Sequence, residues 1–180
     1  MNIHTLLSTQ ERERILGYLL EHSSESINLT KIAREVKVSP AQVHKYVGIL
    51  REQKHVSGNR MIELPVTSAL RLLLNLKKIQ EARVVEMLRK HFPKAMGIGL
   101  YGSWANGTNT ENADLDIWIK LNSEPSDLDA SAAKNELRKK LGIPIDIVFA
   151  TPERLENFRK KSDAFYFSLY CGKILWGENL

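Results

Sequence analysis

The sequence predicts a two-part chain, a mainly α N-terminal unit followed by an α/β unit, and three observations carry that reading. In the first half, apolar residues recur at helical spacing. In the second half, short apolar runs closed by Gly, or broken by one or two Asp, read as buried strands. Charge divides along the same line: the first 90 residues hold 15 Lys and Arg against 9 Asp and Glu, and the last 90 hold 11 against 12. A chain of 180 residues is long enough to bury a sizeable core.

Composition excludes several classes. No apolar run approaches the roughly 20 residues of a membrane span, and the start, Met1 to Arg12, has no basic region leading into an extended apolar core. A cytoplasmic protein with no membrane contact and no signal peptide is expected. Cys171 is the only cysteine, so an internal disulfide and a cysteine-built zinc site are ruled out. The positive excess of the first half directs attention to a polyanionic partner there, since basic residues beside phosphates release counterions.

The N-terminal elements follow in order. Ile15, Leu16, Leu19 and Leu20 give one apolar face over residues 11–21, with Thr9 as the helix start. Residues 29–36 form a second helix, with Thr30 as a candidate cap and small Ala33 where another helix can cross closely. Lys37-Val38-Ser39-Pro40 is a turn, and Ser39 then caps a third helix whose first position is Pro40, where the missing amide hydrogen costs nothing. Val43, Tyr46, Val47 and Leu50 line its inner face and leave Gln42, His44, Lys45 and Arg51 outside. Residues 55–64 carry a hairpin around Gly58-Asn59. Over roughly residues 9–65 these elements resemble the winged helix-turn-helix domains of prokaryotic regulators. That resemblance implies DNA binding, with Gln42 and Lys45 toward the major groove, Ser39 near a phosphate and Arg60 on the wing. Winged helices also serve in dimerisation, so a homodimer is a second use of the same unit.

Residues 66–92 contain neither Gly nor Pro and place Leu70, Leu73, Leu76, Ile79, Val84 and Leu88 at mostly helical intervals. A helical connector is expected, broken near Lys77-Lys78 and ended at Phe92-Pro93. Its leucines cover more than one narrow face, so part of it packs within the chain or against another subunit. The domain boundaries are therefore 1–65, 66–92 and 93–180.

The chemistry concentrates after residue 95. Met96-Gly97-Ile98-Gly99-Leu100-Tyr101 reads as a buried strand running into a tight turn at Gly102-Ser103. Asp114-Leu115-Asp116-Ile117-Trp118-Ile119 alternates, so Asp114 and Asp116 share one face of a strand while Leu115, Ile117 and Ile119 face a core. Two carboxylates side by side repel each other unless a hard cation lies between them, and oxygen ligands of this kind suit Mg²⁺. Residues 142–149 form a further apolar strand with one acid, Asp146, and a lone Asp in such a run needs a partner. Set beside the first strand, it would bring three acids together around two Mg²⁺ ions.

The Gly102-Ser103 pair, the ten residues after it, Asp114-Leu115-Asp116 and the later Asp146 resemble the polymerase-β-type nucleotidyltransferase superfamily, most closely its minimal nucleotidyltransferase branch. The resemblance covers roughly residues 79–180 and includes the end, where Phe165 to Tyr170 reads as a helix, followed by a Gly turn and an apolar strand. It implies an α/β (α+β) nucleotidyltransferase fold with a small mixed sheet, in which Asp114, Asp116 and Asp146 bind the metals. Asp146 would also assist deprotonation of the acceptor hydroxyl, and Gly102 and Ser103 would hold triphosphate. Two departures stand out: many relatives have Arg at the position of Asn106 and Ser at that of Ala113. Lys120 at the strand end is a candidate replacement charge, although a strand-end Lys is more often solvated. Arg138-Lys139-Lys140 suits the negative end of a helix over residues 126–141.

The resulting expectation is Mg²⁺-dependent transfer of AMP from ATP to a hydroxyl of a protein or small molecule. Relatives of this branch include antitoxins that modify HEPN-type toxins with AMP, so a DNA-binding antitoxin is one form of this expectation. The alternative is a non-enzymatic winged-helix transcription regulator whose transferase domain has lost the chemistry.

Overall fold

The computed structural model describes residues 6–161 and 163–180. Met1 to Thr5, the start of the segment read above as carrying no signal peptide, lies outside the described residues. The chain divides into two compact units, one ending at Arg71 and one beginning at Leu72.

In the first unit each helix begins on a polar cap. Helix α1 (Gln10–Glu21) follows Thr9, whose hydroxyl accepts from the Arg12 N–H at 3.3 Å. Helix α2 (Leu29–Glu35) is capped by Asn28, with Oδ1 3.0 Å from the Lys31 N–H. This corrects the expected Thr30 cap. The helix already begins at Leu29, so only the residue before it has the extended backbone that aims a side chain at the free amides. Helix α3 (Pro40–Glu52) starts from Ser39, which with Gln42 closes a reciprocal capping box. Strands β1 (Val56–Ser57) and β2 (Arg60–Met61) pair antiparallel around Gly58, whose φ of +56° suits the turn. Ile15, Leu16, Leu20, Ile32, Val43, Tyr46, Val47 and Leu50 fill the core, each such side chain contributing about 1.5–3 kcal/mol on burial. Arg71 is also buried, and it pairs with Glu63 at 2.6 Å and donates to the Leu20 carbonyl at 3.1 Å.

Helix α4 (Pro65–Glu81) spans the boundary, and α5 (Val84–His91) follows it. The helix break falls at Ala82-Arg83 rather than near Lys77-Lys78. Arg83 takes a left-handed φ of +55°, and the turn it makes brings Val84 and Leu88 into full burial. Packing of α5, rather than a weak point in the helical pattern, sets the break.

The second unit is built on a mixed four-stranded sheet, ordered β5-β4-β3-β6. Strands β3 (Gly97–Leu100), β4 (Leu115–Lys120), β5 (Ile145–Ala150) and β6 (Lys173–Gly177) make it up. β3 runs antiparallel to both β4 and β6, whereas β4 and β5 are parallel, joined through helix α7 (Asp127–Leu141). Helix α6 (Gly102–Asn106), a single turn, connects β3 toward β4. Leu115, Ile117, Ile119, Ile145, Ile147 and Phe149 face a core shared with α5 and α7 through Leu88, Ala133 and Leu137. The alternate positions Trp118 and Val148 face the other way, against Leu155 and Phe158 of α8 (Pro152–Lys161) and Phe165 and Leu169 of α9 (Asp163–Tyr170). Asp116 and Asp146 share that second face by strand parity.

The polar helix α8 has no buried residue and was missed by periodicity, although Thr151-Pro152-Glu153 is a readable helix start. Among the described residues, no helix is long and apolar enough to cross a membrane.

Candidate active site

Gly102 is required by both backbone and space. Its φ is +66°, and a Cβ there would sit 2.2 Å from Asp116 Oδ2. The turn after β3 is thereby pressed against the carboxylate of β4, an approach that only glycine permits. The Tyr101 N–H donates to the Asp116 carbonyl at 3.1 Å and extends the β3–β4 ladder to the start of α6. Ser103, half-buried in the first turn of α6, accepts at its carbonyl from Thr108 N–H at 3.0 Å.

The loop from Gly107 to Asp114 is fastened by a buried amide pair. Asn75 Nδ2 donates to Asn109 Oδ1 at 2.8 Å and to the Trp104 carbonyl at 3.0 Å, and Trp104 Nε1 donates to the Ala113 carbonyl at 3.4 Å. Sequence reading passed over both asparagines. One sits in a leucine-rich helix and the other among turn residues, and nothing local says that they meet.

Asp116 and Asp146 are register partners across the parallel β4–β5 pair. Asp114 corrects the expectation of a shared strand: β4 begins at Leu115, so Asp114 stands exposed in the loop just before it. Burial, then the Asp146 and Asp114 charges, push the Asp116 carboxyl up to about 6. Burial also pushes Asp146 up, but the Lys134 ammonium at 3.0 Å, the Tyr101 hydroxyl at 3.2 Å and the Ile147 backbone N–H outweigh it and leave that carboxyl below its ordinary value. Burial first, then Asp146 and Asp116, push the Tyr101 phenol well above its usual range.

Two neighbouring acids, one held ionised and one resisting ionisation, are what a carboxylate site for a hard divalent cation looks like before its charge is balanced. The donor set therefore fits Mg²⁺. The three acids do not gather around one point, which a single ion would need and two ions sharing them would not. No choice of one oxygen from each brings Asp114, Asp116 and Asp146 all within 4.8 Å of one another. Lys120, the candidate replacement charge, lies at the opposite end of β4 and pairs with Glu178 at 3.0 Å and the Asn179 carbonyl at 2.7 Å. Asn106 is exposed at the end of α6, and Arg138, Lys139 and Lys140 occupy the last turn of α7.

Residues 81–170, half of the chain, match the family model described as a nucleotidyltransferase domain. The chain belongs to that nucleotidyltransferase family. Among curated proteins it is 30% identical to the protein adenylyltransferase MntA of Shewanella oneidensis, over 57% of this chain and 68% of that protein. It is 33% identical to a putative protein adenylyltransferase of Methanocaldococcus jannaschii, over 45% of this chain and 88% of that one. Among solved structures, a toxin–antitoxin with AMP-PNP aligns at a TM-score of 0.41 and 25% identity, covering 58% of this nucleotidyltransferase and 74% of that chain.

In the first unit, Ser39, Gln42, Lys45 and Arg60 are all exposed. Gln42 Oε1 accepts from the Ser39 N–H and hydroxyl, both at 3.0 Å, while Ser39 Oγ accepts from the Gln42 N–H at 3.2 Å. The two polar groups expected to meet DNA are thus partly committed to each other, which leaves the Gln42 amide NH₂, Lys45 and Arg60 as the outward donors.

Proposed function

We propose that this nucleotidyltransferase transfers AMP from ATP to a hydroxyl on a protein, and that it acts as an antitoxin toward a HEPN-type toxin. The observation that carries the reading is the register pairing of Asp116 with Asp146 directly against Gly102. It joins the phosphate-binding turn to the carboxylates that catalysis needs. The adenylyltransferase relatives supply the nucleotide and the class of acceptor.

Asp114, Asp116 and Asp146 would hold Mg²⁺, which when bound supplies charge neutralisation of the triphosphate and acidifies an attacking hydroxyl. Gly102 leaves the backbone bare where phosphate approaches, and the Ser103 hydroxyl and neighbouring amides donate to phosphate oxygens. The acceptor oxygen bonds to the α-phosphorus as the bond to the β-phosphate oxygen breaks. Pyrophosphate leaves, and the acceptor proton passes to Asp146. Most of the acceleration comes from positioning and fixed charge.

We read the first unit as a winged helix-turn-helix, with α3 as its reading helix and β1–β2 as a short wing. In this proposal Lys45 and Arg60 bind phosphate and the Gln42 amide faces base edges. A regulator without catalysis is the second reading, favoured by Asn106 and Ala113 standing where many relatives carry Arg and Ser.

The deciding experiment incubates the purified protein with Mg²⁺, α-labelled ATP and a co-encoded HEPN-type toxin. Label on the toxin, absent with Asp114→Ala/Asp116→Ala, supports the enzyme. Specific DNA retention with no label on any partner supports the regulator.

A further inference from the structure

Asp146 is the one site acid whose carboxylate is already matched. Lys134, twelve residues earlier on α7, donates from Nζ to Oδ1 at 3.0 Å, and the Tyr101 hydroxyl donates to Oδ2 at 3.2 Å. Among the described residues, neither Asp114 nor Asp116 has an ion-pair partner. Asp146 is the register partner of Asp116, yet no choice of one oxygen from each of the three acids gathers within 4.8 Å.

We propose that Lys134 is a tethered counter-ion for the metal site. Its ammonium supplies at Asp146 the positive charge that a divalent cation would bring. Lys134 therefore competes with the metal and has to leave before all three acids share one. This rests on the metal-binding reading given under Proposed function.

Three features suit Lys134 to the role. The pair is open to solvent, with side-chain exposures of 37% for Lys134 and 48% for Asp146, so an incoming ion reaches the carboxylate without unfolding anything. An ammonium on a four-carbon stem releases and rebinds easily, because it makes a point contact rather than a planar fork. Its placement also follows from packing. Ala133 and Leu137 bury one face of α7 in the sheet core, which leaves Lys134 beside the buried stripe, at the edge strand that carries Asp146. Tyr101, fixed edge-on against Phe165 at 5.8 Å between ring centroids, holds the other oxygen and stays as the cation leaves. Metal affinity is thereby lowered, while the metal-free site is spared three unbalanced carboxylates.

The test is calorimetric titration of the full chain with Mn²⁺ alone, in the absence of nucleotide. Lys134→Met should bind Mn²⁺ about three- to fivefold more tightly than the native protein, the upper end of what an exposed ion pair contributes. Lys134→Arg, which keeps the charge, should stay at or below native affinity. Lys139→Met removes the same charge farther along α7 without the contact, and its affinity should move less than about twofold. Thermal melts confirm that each variant folds, and Lys134→Gln replaces any methionine variant that does not.

Native or weaker affinity in Lys134→Met overturns the inference, as does equal tightening in Lys139→Met, which would reduce the effect to the general field. The Asp114→Asn/Asp116→Asn protein separates the two levels. If it loses Mn²⁺ binding, the metal reading holds whatever Lys134 does. If it binds Mn²⁺ like the native chain, the metal reading fails and the role of Lys134 fails with it.

Discussion

Gly102 and Asp116 show how far a single residue constrains this site. A methyl group at position 102 would collide with the Asp116 carboxylate, and the backbone there is left-handed. Gly102→Ala should therefore destabilise the second unit by about 1–3 kcal/mol and abolish Mg²⁺-dependent binding of an ATP analogue, read by thermal melting and calorimetry. Asp116 gives a pH signature. Its folded value is raised from 3.8 to about 6, so its contribution to stability is complete below 3.8 and is lost as pH rises through about 6. With metal chelated, raising the pH from about 5 to about 7.5 should cost on the order of 1 kcal/mol through this group, after allowance for solvent screening. Asp116→Asn should remove that part of the slope. Urea midpoints of the two proteins at both pH values check it. His55, buried and held below its ordinary value, has the opposite slope but is common to both proteins and cancels in the comparison.

At the scale of elements, the helix starts carry the clearest expectations. Gln42 belongs to the α3 capping box, so Gln42→Ala should lower the stability of the first unit by about 1 kcal/mol. Gln42→Glu keeps the acceptor and should not. A DNA-binding test that relies on Gln42→Ala alone would mix loss of contact with loss of the cap, and Lys45→Ala with Arg60→Ala is the cleaner pair. The loop before β4 depends on Asn75 and Asn109. Asn75→Ala should cost about 1–3 kcal/mol by leaving buried partners unpaired, and a double-mutant cycle with Asn109→Ala should show coupling. These cases also show where sequence reading works at this scale. Ser39-Pro40 and the Val43, Tyr46, Val47, Leu50 face are local patterns, and the helix forms where they place it. Thr30 and Lys77-Lys78 were read from residue type alone. Where the helices begin and bend was set instead by Asn28 next to Leu29 and by Arg83 beside the buried Val84.

For the whole molecule, the division after Arg71 puts Lys45 and Arg60 in one unit and Asp116 in the other. Calorimetric unfolding should show Mg²⁺ with an ATP analogue raising the stability of the unit that holds Asp116, by linkage to binding. Lys45→Ala and Arg60→Ala should leave that response unchanged. If the first unit binds DNA, its affinity should fall steeply with salt, in proportion to the phosphates neutralised.

The sequence by itself determined the ingredients: an amphipathic three-helix start, the Gly102-Ser103 turn, and acids at positions 114, 116 and 146. These follow from period and spacing, which act over a few residues and survive without knowledge of neighbours. Tertiary structure alone decided what each acid faces. The parallel pairing of β4 with β5 puts Asp116 against Asp146, and the packing of α7 delivers Lys134 to one of them and not the other. It also left Asp114 outside the strand and joined Asn75 to Asn109. Contacts between residues 12 to 45 positions apart carry no local periodicity. They exist because buried faces must match, and only the folded chain shows which polar groups that matching brings together.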